Sequence, residues 1–212
     1  MTVLRYLLAA LVCYLISNIN PAIILSNLIY HKDIRGFGSG NAGTTNSFRV
    51  FGPQIGIPVM LFDIGKGALS VYLGGVLLLG GAWYCIAYAG FFAVLGHCYP
   101  VAFGFRGGKG VATIAGMLIV LDWRVFLGAL AGFLVVLAIG RMMSVASMSS
   151  IVFAPASVYV FSCLVDGKPF SAVWPQMLVA FFFGAILLFT HRDNIRRLFQ
   201  GKENRIGRVK KS

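Results

Sequence analysis

Charge is what this 212-residue sequence has least of: Asp, Glu, Lys and Arg make up 11% of it, against about 25% in a soluble domain. Acids are rarer still, six against eighteen Lys and Arg, leaving a net charge of +12. A catalyst needing several acids, a hard-metal site or a proton relay therefore has few carboxylates to draw on. Asp33, Asp63 and Asp193 are scattered, which argues against a magnesium-dependent phosphotransferase with an Asp cluster. The basic excess does not point to DNA or RNA, because a nucleic-acid binder is rich in charge throughout and here the cations sit at segment ends. Cysteine is sparse and unpatterned. Cys13, Cys85, Cys98 and Cys163 lie in apolar stretches with no two at CxxC spacing, the pattern of small buried hydrophobes rather than of a zinc site or disulfide set.

What fills the chain is apolar: 58% hydrophobic, with a mean hydropathy of +0.85. A membrane span needs about 20 such residues. Residues 1–22 have the outline of a signal peptide, but the apolar run continues to Tyr30 and more membrane follows, so a retained first span is expected. Uncharged stretches cover 6–31, 67–105 (divided by Leu79-Gly80-Gly81-Ala82), 142–165 and 169–191. Between 110 and 140, Asp122-Trp123-Arg124 interrupts the apolar sequence. One helix there gives six crossings; a turn there gives seven.

Charge decides between them. With seven crossings, one face collects the 31–50 loop, Arg106 with Lys109, Arg141 and the tail from His191, and with them nearly all of the net charge. The opposite face holds only Arg5, Asp122 with Arg124, and Asp166 with Lys168. The positive-inside rule places the basic face in the cytoplasm. The cost is a fourth helix of about 18 Å at 1.5 Å per residue, which must tilt or shelter inside the bundle. The expected fold is an all-α polytopic membrane protein with seven transmembrane helices, one short, the N-terminus outside and the C-terminus cytoplasmic. It forms a single integral-membrane domain over 1–212, with 199–212 as a basic cytoplasmic tail.

The glycine-rich polar sequence gathers on that same face in three pieces. Gly36-Phe37-Gly38-Ser39-Gly40-Asn41-Ala42-Gly43-Thr44-Thr45-Asn46, closed by Arg49, contains GxGxxG, but no strand precedes it and no βαβ unit can follow. Its physical content is an anion nest: glycines turn N–H groups toward a ligand while Ser, Thr and Asn add donors. Arg106-Gly107-Gly108-Lys109-Gly110 leads into a helix at Val111. It is not a Walker A loop, yet an ammonium beside a helix N-terminus suits phosphate. The third piece, His191-Arg192-Asp193-Asn194-Ile195-Arg196-Arg197, puts His191 and Asn194 on one helical face. Arg196, Arg197, Arg205, Arg208, Lys210 and Lys211 read as a membrane-surface stop attracted to anionic lipid.

Elsewhere, Asp63 and Lys66 at i, i+3 suit an intramembrane ion pair or a substrate contact. His97, about three helical turns from Arg106, reads as a satisfied buried histidine. Gly128 and Gly132 read as close helix packing. Ser144 and Ser147 cap the next helix or donate into the shared site.

Taken together, Ser39-Gly40-Asn41-x-Gly43-x-Thr45-Asn46, Phe62-Asp63-x-x-Lys66-Gly67, Gly96-His97 with Pro100 leading to Gly107-Gly108-Lys109-Gly110-Val111-Ala112-Thr113, and His191-x-x-Asn194-Ile195-x-Arg197-Leu198-x-x-Gly201-x-Glu203 resemble the bacterial acyl-phosphate:glycerol-3-phosphate acyltransferase family, PlsY. The resemblance runs from about residue 20 to Glu203. It implies a seven-helix protein of the bacterial inner membrane with its active site on the cytoplasmic side. The implied reaction transfers a fatty acyl group from acyl phosphate to the 1-position of sn-glycerol 3-phosphate, giving lysophosphatidate and phosphate, the first acylation step of phospholipid synthesis. It implies no metal, no cofactor and no CoA or acyl carrier protein as donor. By the same resemblance Ser39, Arg49, Lys109, His191 and Asn194 hold glycerol 3-phosphate. Asn41, Thr45, the backbone of Gly107 and Gly108, and Ser147 serve the donor phosphate, with Gly43, Asn46 and Gly110 completing the substrate-binding loops. Three other classes fit less well. A transporter should show inverted repeats, and none is seen. The HxxxxD arrangement of other glycerol-phosphate acyltransferases is absent, since Ala102 and Arg196 stand at the fifth place after His97 and His191. A plain membrane scaffold leaves the polar loops unexplained.

Overall fold

The computed structural model describes residues 2–206, all helix, turn and loop with no strand among them. Six helical stretches are long and apolar enough to cross a membrane: Thr2–Tyr30, Pro53–Leu78, Trp83–Phe103, Val111–Gly140, Met143–Val165 and Phe170–Thr190. The chain forms two compact units, the first ending at Asp122 and the second beginning at Trp123.

In the first unit, α1 (Thr2–Asn18) and α2 (Pro21–Tyr30) divide what the hydropathy pattern reads as one span. Pro21 lacks an N–H and suits a first helical position. Asn20 caps α2 by accepting a hydrogen bond from the Ile23 amide at 3.1 Å. After a 3₁₀ turn at Ile34–Gly36 come α3 (Thr44–Phe51), α4 (Pro53–Val71, widening into π-helix over Tyr72–Leu78), α5 (Trp83–Cys98) and a second 3₁₀ turn at Val101–Phe103. The expected divide at 79–82 is a turn in which Gly80 and Gly81 hold φ of +89° and +79°.

α1 packs on α5 and on the widened end of α4. It is patterned inside out: Val3, Leu4, Leu7, Leu11 and Leu15 face outward while Ala9, Cys13 and Ser17 are buried. Lipid is as apolar as leucine, so small residues that allow close approach drive such packing. A β-carbon on Gly96 would strike the Tyr14 carbonyl oxygen, and one on Gly74 the Cys13 sulfur. Under the loops lies a separate apolar cluster of Ala22, Ile23, Ile34, Ala42, Ile55 and Val59.

The stretch named α6 (Val111–Gly140) is two helical pieces, because Asp122 has extended backbone at φ −162°, ψ 107°. The break falls where the sequence places its interruption. Residues 111–121 belong to the first unit and pack on α4, where β-carbons on Gly67 and Gly116 would collide with the carbonyls of Thr113 and Ile64.

The second unit holds the remainder of α6, then α7 (Met143–Met148), α8 (Ser150–Tyr159, widening into π-helix over Val160–Val165), α9 (Phe170–Thr190) and α10 (Arg192–Phe199). Gly128 and Gly132 do serve packing, lying against Ser157 and the Phe153 ring of α8. Gly184 of α9 meets Ile151 in the same way. Arg124 and Asp166, assigned to one face by charge counting, form a two-pronged pair: Nη1 to Oδ1 at 2.7 Å and Nη2 to Oδ2 at 3.0 Å. The Arg124 hydrogen bonds hold the Asp166 carboxyl down at about 2.

The glycine contacts make a direct test. Gly67→Ala and Gly116→Ala force two backbones apart and should destabilise by about 1–3 kcal/mol, lowering the thermal midpoint in detergent. Gly65→Ala, with nothing within 4 Å of the added carbon, should leave the midpoint unchanged or raised.

Candidate active site

The first loop is shaped from inside by Asn46. This residue is 1% exposed, and its amide donates to the carbonyls of Phe37 at 2.9 Å and Ile34 at 3.4 Å. Its carbonyl accepts from the Ser39 backbone at 2.9 Å and from Arg49 Nη1 at 3.4 Å. Expected as a substrate group, Asn46 is instead committed to building the loop. Gly38 and Gly40 sit at φ of +62° and +72°, a region that strongly favours glycine. Asn20 holds the loop from below through Nδ2 to the Ala42 carbonyl at 3.1 Å. Gly43 is the cap of α3, so Thr44 and Thr45 occupy its first turn, and the Thr44 hydroxyl is buried with no hydrogen-bond partner among the described residues. Ser39 and Arg49 are exposed, and Asn41 and Thr45 half-buried.

The second loop begins where α5 ends. The Gly107 amide donates to the Cys98 carbonyl at 3.1 Å and the Gly108 amide to the His97 carbonyl at 3.2 Å. These two amides were expected to face a ligand; they are spent on the last carbonyls of α5, which otherwise have no acceptor role in the helix. Beyond these bonds the loop carries the half-buried Lys109 into the first turn of α6, whose N–H groups have no intrahelical acceptor. Neither glycine has room for a side chain. A β-carbon on Gly107 would collide with the His97 carbonyl, and one on Gly108 with His97 Nε2.

The loops meet backbone to backbone. A β-carbon on Gly43 would lie 3.8 Å from Gly108 Cα, and one on Gly108 would lie 3.1 Å from the Ala42 oxygen. Ser39, Asn41, Gly43, Thr45 and Arg49 are thereby gathered on one end of the first unit with Lys109 and Gly110. His97 is buried as expected but not satisfied: its Nδ1 has no hydrogen-bond partner among the described residues, and it lies 3.4 Å from Asp63 Oδ1, which pairs with Lys66 Nζ at 2.8 Å. Sequence distance to Arg106 hid a carboxylate on another helix. A cleft of about 780 Å³ opens beside the loops, lined by Asp33, Arg35, Phe37, Phe103 and Arg106 among others, and by none of the predicted site residues. The Arg35 guanidinium holds the Asp33 carboxyl below its usual range and donates to the Phe103 carbonyl at 2.7 Å.

The second unit carries a cluster of its own. His191 and Asn194 are buried one turn apart at the start of α10. His191 Nδ1 lies 2.8 Å from the Leu187 carbonyl. A carbonyl only accepts, so Nδ1 carries a proton and in the neutral ring Nε2 carries the lone pair. Asn194 Nδ2 donates to Glu203 Oε1 at 2.7 Å, Ser144 Oγ donates to the same oxygen at 2.8 Å, and Arg197 Nε donates to Oε2 at 3.0 Å. Ser144 therefore ties down the tail instead of capping α7, and Ser147 donates to the Met143 carbonyl within α7 at 2.7 Å. Arg196 and Arg205 are exposed, as a surface stop requires; Arg208, Lys210 and Lys211 lie outside the described residues.

The model of the family described as glycerol-3-phosphate acyltransferase matches residues 7–201. The chain belongs to this family. The acyltransferase is 37% identical over 210 residues to the glycerol-3-phosphate acyltransferase of Finegoldia magna, an alignment covering 98% of this chain and all of that one. It is 36% identical over 206 residues to that of Enterococcus faecalis, covering 96% and 93%. Among solved structures it resembles PlsY, an integral membrane glycerol 3-phosphate acyltransferase crystallised in a glycerol 3-phosphate form, with a TM-score of 0.79 at 33% identity over 95% of this chain and 96% of that one. The acyltransferase is accordingly a multi-pass membrane enzyme of phospholipid biosynthesis.

Glu203 stands in the family pattern but had no role assigned from sequence. The signal that points to it is a carboxylate in a tail otherwise dominated by cations. Burial pushes its carboxyl up, and the hydrogen bonds from Asn194, Ser144 and Arg197 outweigh burial and hold it below the usual glutamate range. A depressed folded-state value means stability present above the unfolded value, about 4.3, and lost as pH falls through the folded one. Wild type should therefore exceed Glu203→Gln in thermal midpoint at pH 7, and the gap should close as the pH is taken well below 4.

Proposed function

We propose that this acyltransferase moves a fatty acyl group from acyl phosphate to the 1-hydroxyl of sn-glycerol 3-phosphate, producing lysophosphatidate and inorganic phosphate. The observation that carries this reading is the meeting of the two glycine loops at Gly43 and Gly108. It sets two helix starts beside Lys109, the equipment for holding phosphate groups close together. Both substrates bring a phosphate. A relative supports the same assignment: PlsY has been crystallised in a glycerol 3-phosphate form and in a lysophosphatidic acid form.

In this reading Ser39, Arg49, Lys109, His191 and Asn194 engage glycerol 3-phosphate. Asn41, Gly43, Thr45 and Ser147 serve the donor phosphate together with the amides that open α6 after Gly110. Gly107 and Gly108 contribute by carrying Lys109, since their own amides are occupied. The acceptor oxygen attacks the acyl carbon, the carbon–oxygen bond to phosphate breaks, and phosphate leaves with the acceptor's proton. Acyl phosphate is already activated, so bringing two anions together and stabilising developing charge supplies most of the acceleration. The donor's phosphate acts as base, while His191 and Asn194 position the acceptor.

The topology belonging to this proposal has seven crossings, the N-terminus outside and the loops and tail on the cytoplasmic side of the bacterial inner membrane. The whole chain acts as one acyltransferase domain. The extended residue at Asp122 and the Arg124–Asp166 pair support the count, and the packing of 111–121 on α4 shelters the short helix.

Purified protein given acyl phosphate and labelled glycerol 3-phosphate should yield lysophosphatidate without CoA, carrier protein or divalent metal. A metal requirement, dependence on acyl-CoA, or transport without acylation would sink the reading. Lys109→Ala should lower kcat/KM about 10²–10³-fold, the size of losing one charge-stabilising donor, while Lys211→Ala should stay near wild type. Loss of turnover in His191→Gln with glycerol 3-phosphate binding intact would transfer the role of base to His191.

A further inference from the structure

Directly beneath the contact between the loops lie three ionisable side chains that the chemistry above leaves unused. Asp63 and Lys66 stand on α4 and His97 on the last turn of α5, at 1%, 4% and 3% exposure. Asp63 Oδ1 is 2.8 Å from Lys66 Nζ and 3.4 Å from His97 Nδ1. Well-packed apolar residues are often at least as stabilising as a buried ion pair, so holding the helices together does not by itself explain three such groups.

Their outward contacts do. Lys66 Nζ donates to the Ile19 carbonyl at 2.6 Å, in the break between α1 and α2. The next residue, Asn20, holds the Ala42 carbonyl of the first loop at 3.1 Å. On the other side, the His97 carbonyl accepts from the Gly108 amide at 3.2 Å, and the His97 ring fills the space where a β-carbon of Gly108 would stand. Of the side chains themselves, Lys66 grips the backbone on one side of the Ala42–Gly108 contact by its hydrogen bond and the His97 ring packs under Gly108 on the other, one residue from Lys109.

We propose that Asp63, Lys66 and His97 form a positioning triad that fixes Gly108, and with it Lys109, against Ala42 and Gly43 so that the two loops hold their ligands in register for transfer. Asp63 neutralises Lys66 and lies against the His97 ring as a charge contact rather than a hydrogen bond; Lys66 sets the α1–α2 break; His97 sets the second loop. Because each loop still carries its own binding groups, disturbing the triad should lower kcat more than it raises either KM. The inference rests on the acyl-phosphate reading only for its turnover assay.

The test compares His97→Leu, His97→Asn, and the double variant Asp63→Asn with Lys66→Met, which leaves no unpaired charge buried. Thermal midpoint, steady-state kinetics per folded molecule, and hydrogen exchange of the peptide containing Gly107 and Gly108 are read for each. His97→Leu and the double variant should fold, with kcat down about 10²-fold, the scale of an ångström misplacement, and each KM within about threefold. Exchange should rise at the two loops and not across the helices. His97→Asn, which keeps a polar group facing Asp63, should recover most of kcat and the loop protection. Wild-type kcat in folded His97→Leu, a loss that disappears when scaled to folded protein, uniform exchange increases, or failure of every variant to fold would each overturn the proposal. Exchange is read without substrate, so a wild type inactive on acyl phosphate would count against the donor assignment alone while the triad is still judged by the loop amides.

Discussion

A helix that stops in or near a membrane leaves carbonyls that lipid cannot satisfy. At the end of α5 this need is met by the amides of Gly107 and Gly108 donating to Cys98 and His97, and the loop end of the first unit follows from that pair of bonds. They fold the second loop back onto the helix it has just left, so that Gly108 passes over the His97 ring and touches Ala42. Glycine is required there for closeness, since a β-carbon would occupy the space of the ring or of the carbonyl. Lys109 and the start of α6 follow directly after that contact with the first loop, itself held by Asn46 and Asn20.

The division of labour among the polar groups shows why composition and motif carry only part of the way. Hydropathy and glycine placement locate the helical stretches and the turn at 79–82. Three adjacent residues, Asp122, Trp123 and Arg124, mark the break in α6, because a polar interruption in an apolar run has few other uses. Charge counting places Arg124 and Asp166 on one face, but that they pair with each other is visible only in the structure. A motif gives the inventory of donors and not the direction in which each points. Gly107, Gly108 and Asn46 all belong to ligand-binding patterns, yet each spends hydrogen bonds inside the fold. His97 lies 34 positions from Asp63 in sequence, and only the packing of α4 on α5 makes them neighbours. Glu203 was visible as a residue and invisible as a hub, since its partners come from α7 and α10.

The scarcity of acids has a structural counterpart. Asp33, Asp63, Asp166 and Glu203 each pair with a cation, Arg35, Lys66, Arg124 and Arg197 respectively. Three of these pairs sit at loops or tails and one within the apolar interior. In every case the carboxylate orients a basic side chain or a backbone segment, which suits a reaction whose anions arrive with the substrates.

The π-helical ends of α4 and α8, Tyr72–Leu78 and Val160–Val165, bear on how the sequence can change length. A π turn carries more residues for the same hydrogen-bonded span than an α turn. Losing one residue from such a segment can return it to ordinary α spacing, so the preceding turns keep their facing toward lipid and toward the bundle. These two ends are slack in the chain, where single insertions and deletions can be absorbed, whereas a length change between His97 and Lys109 would be transmitted at once to the loop contact.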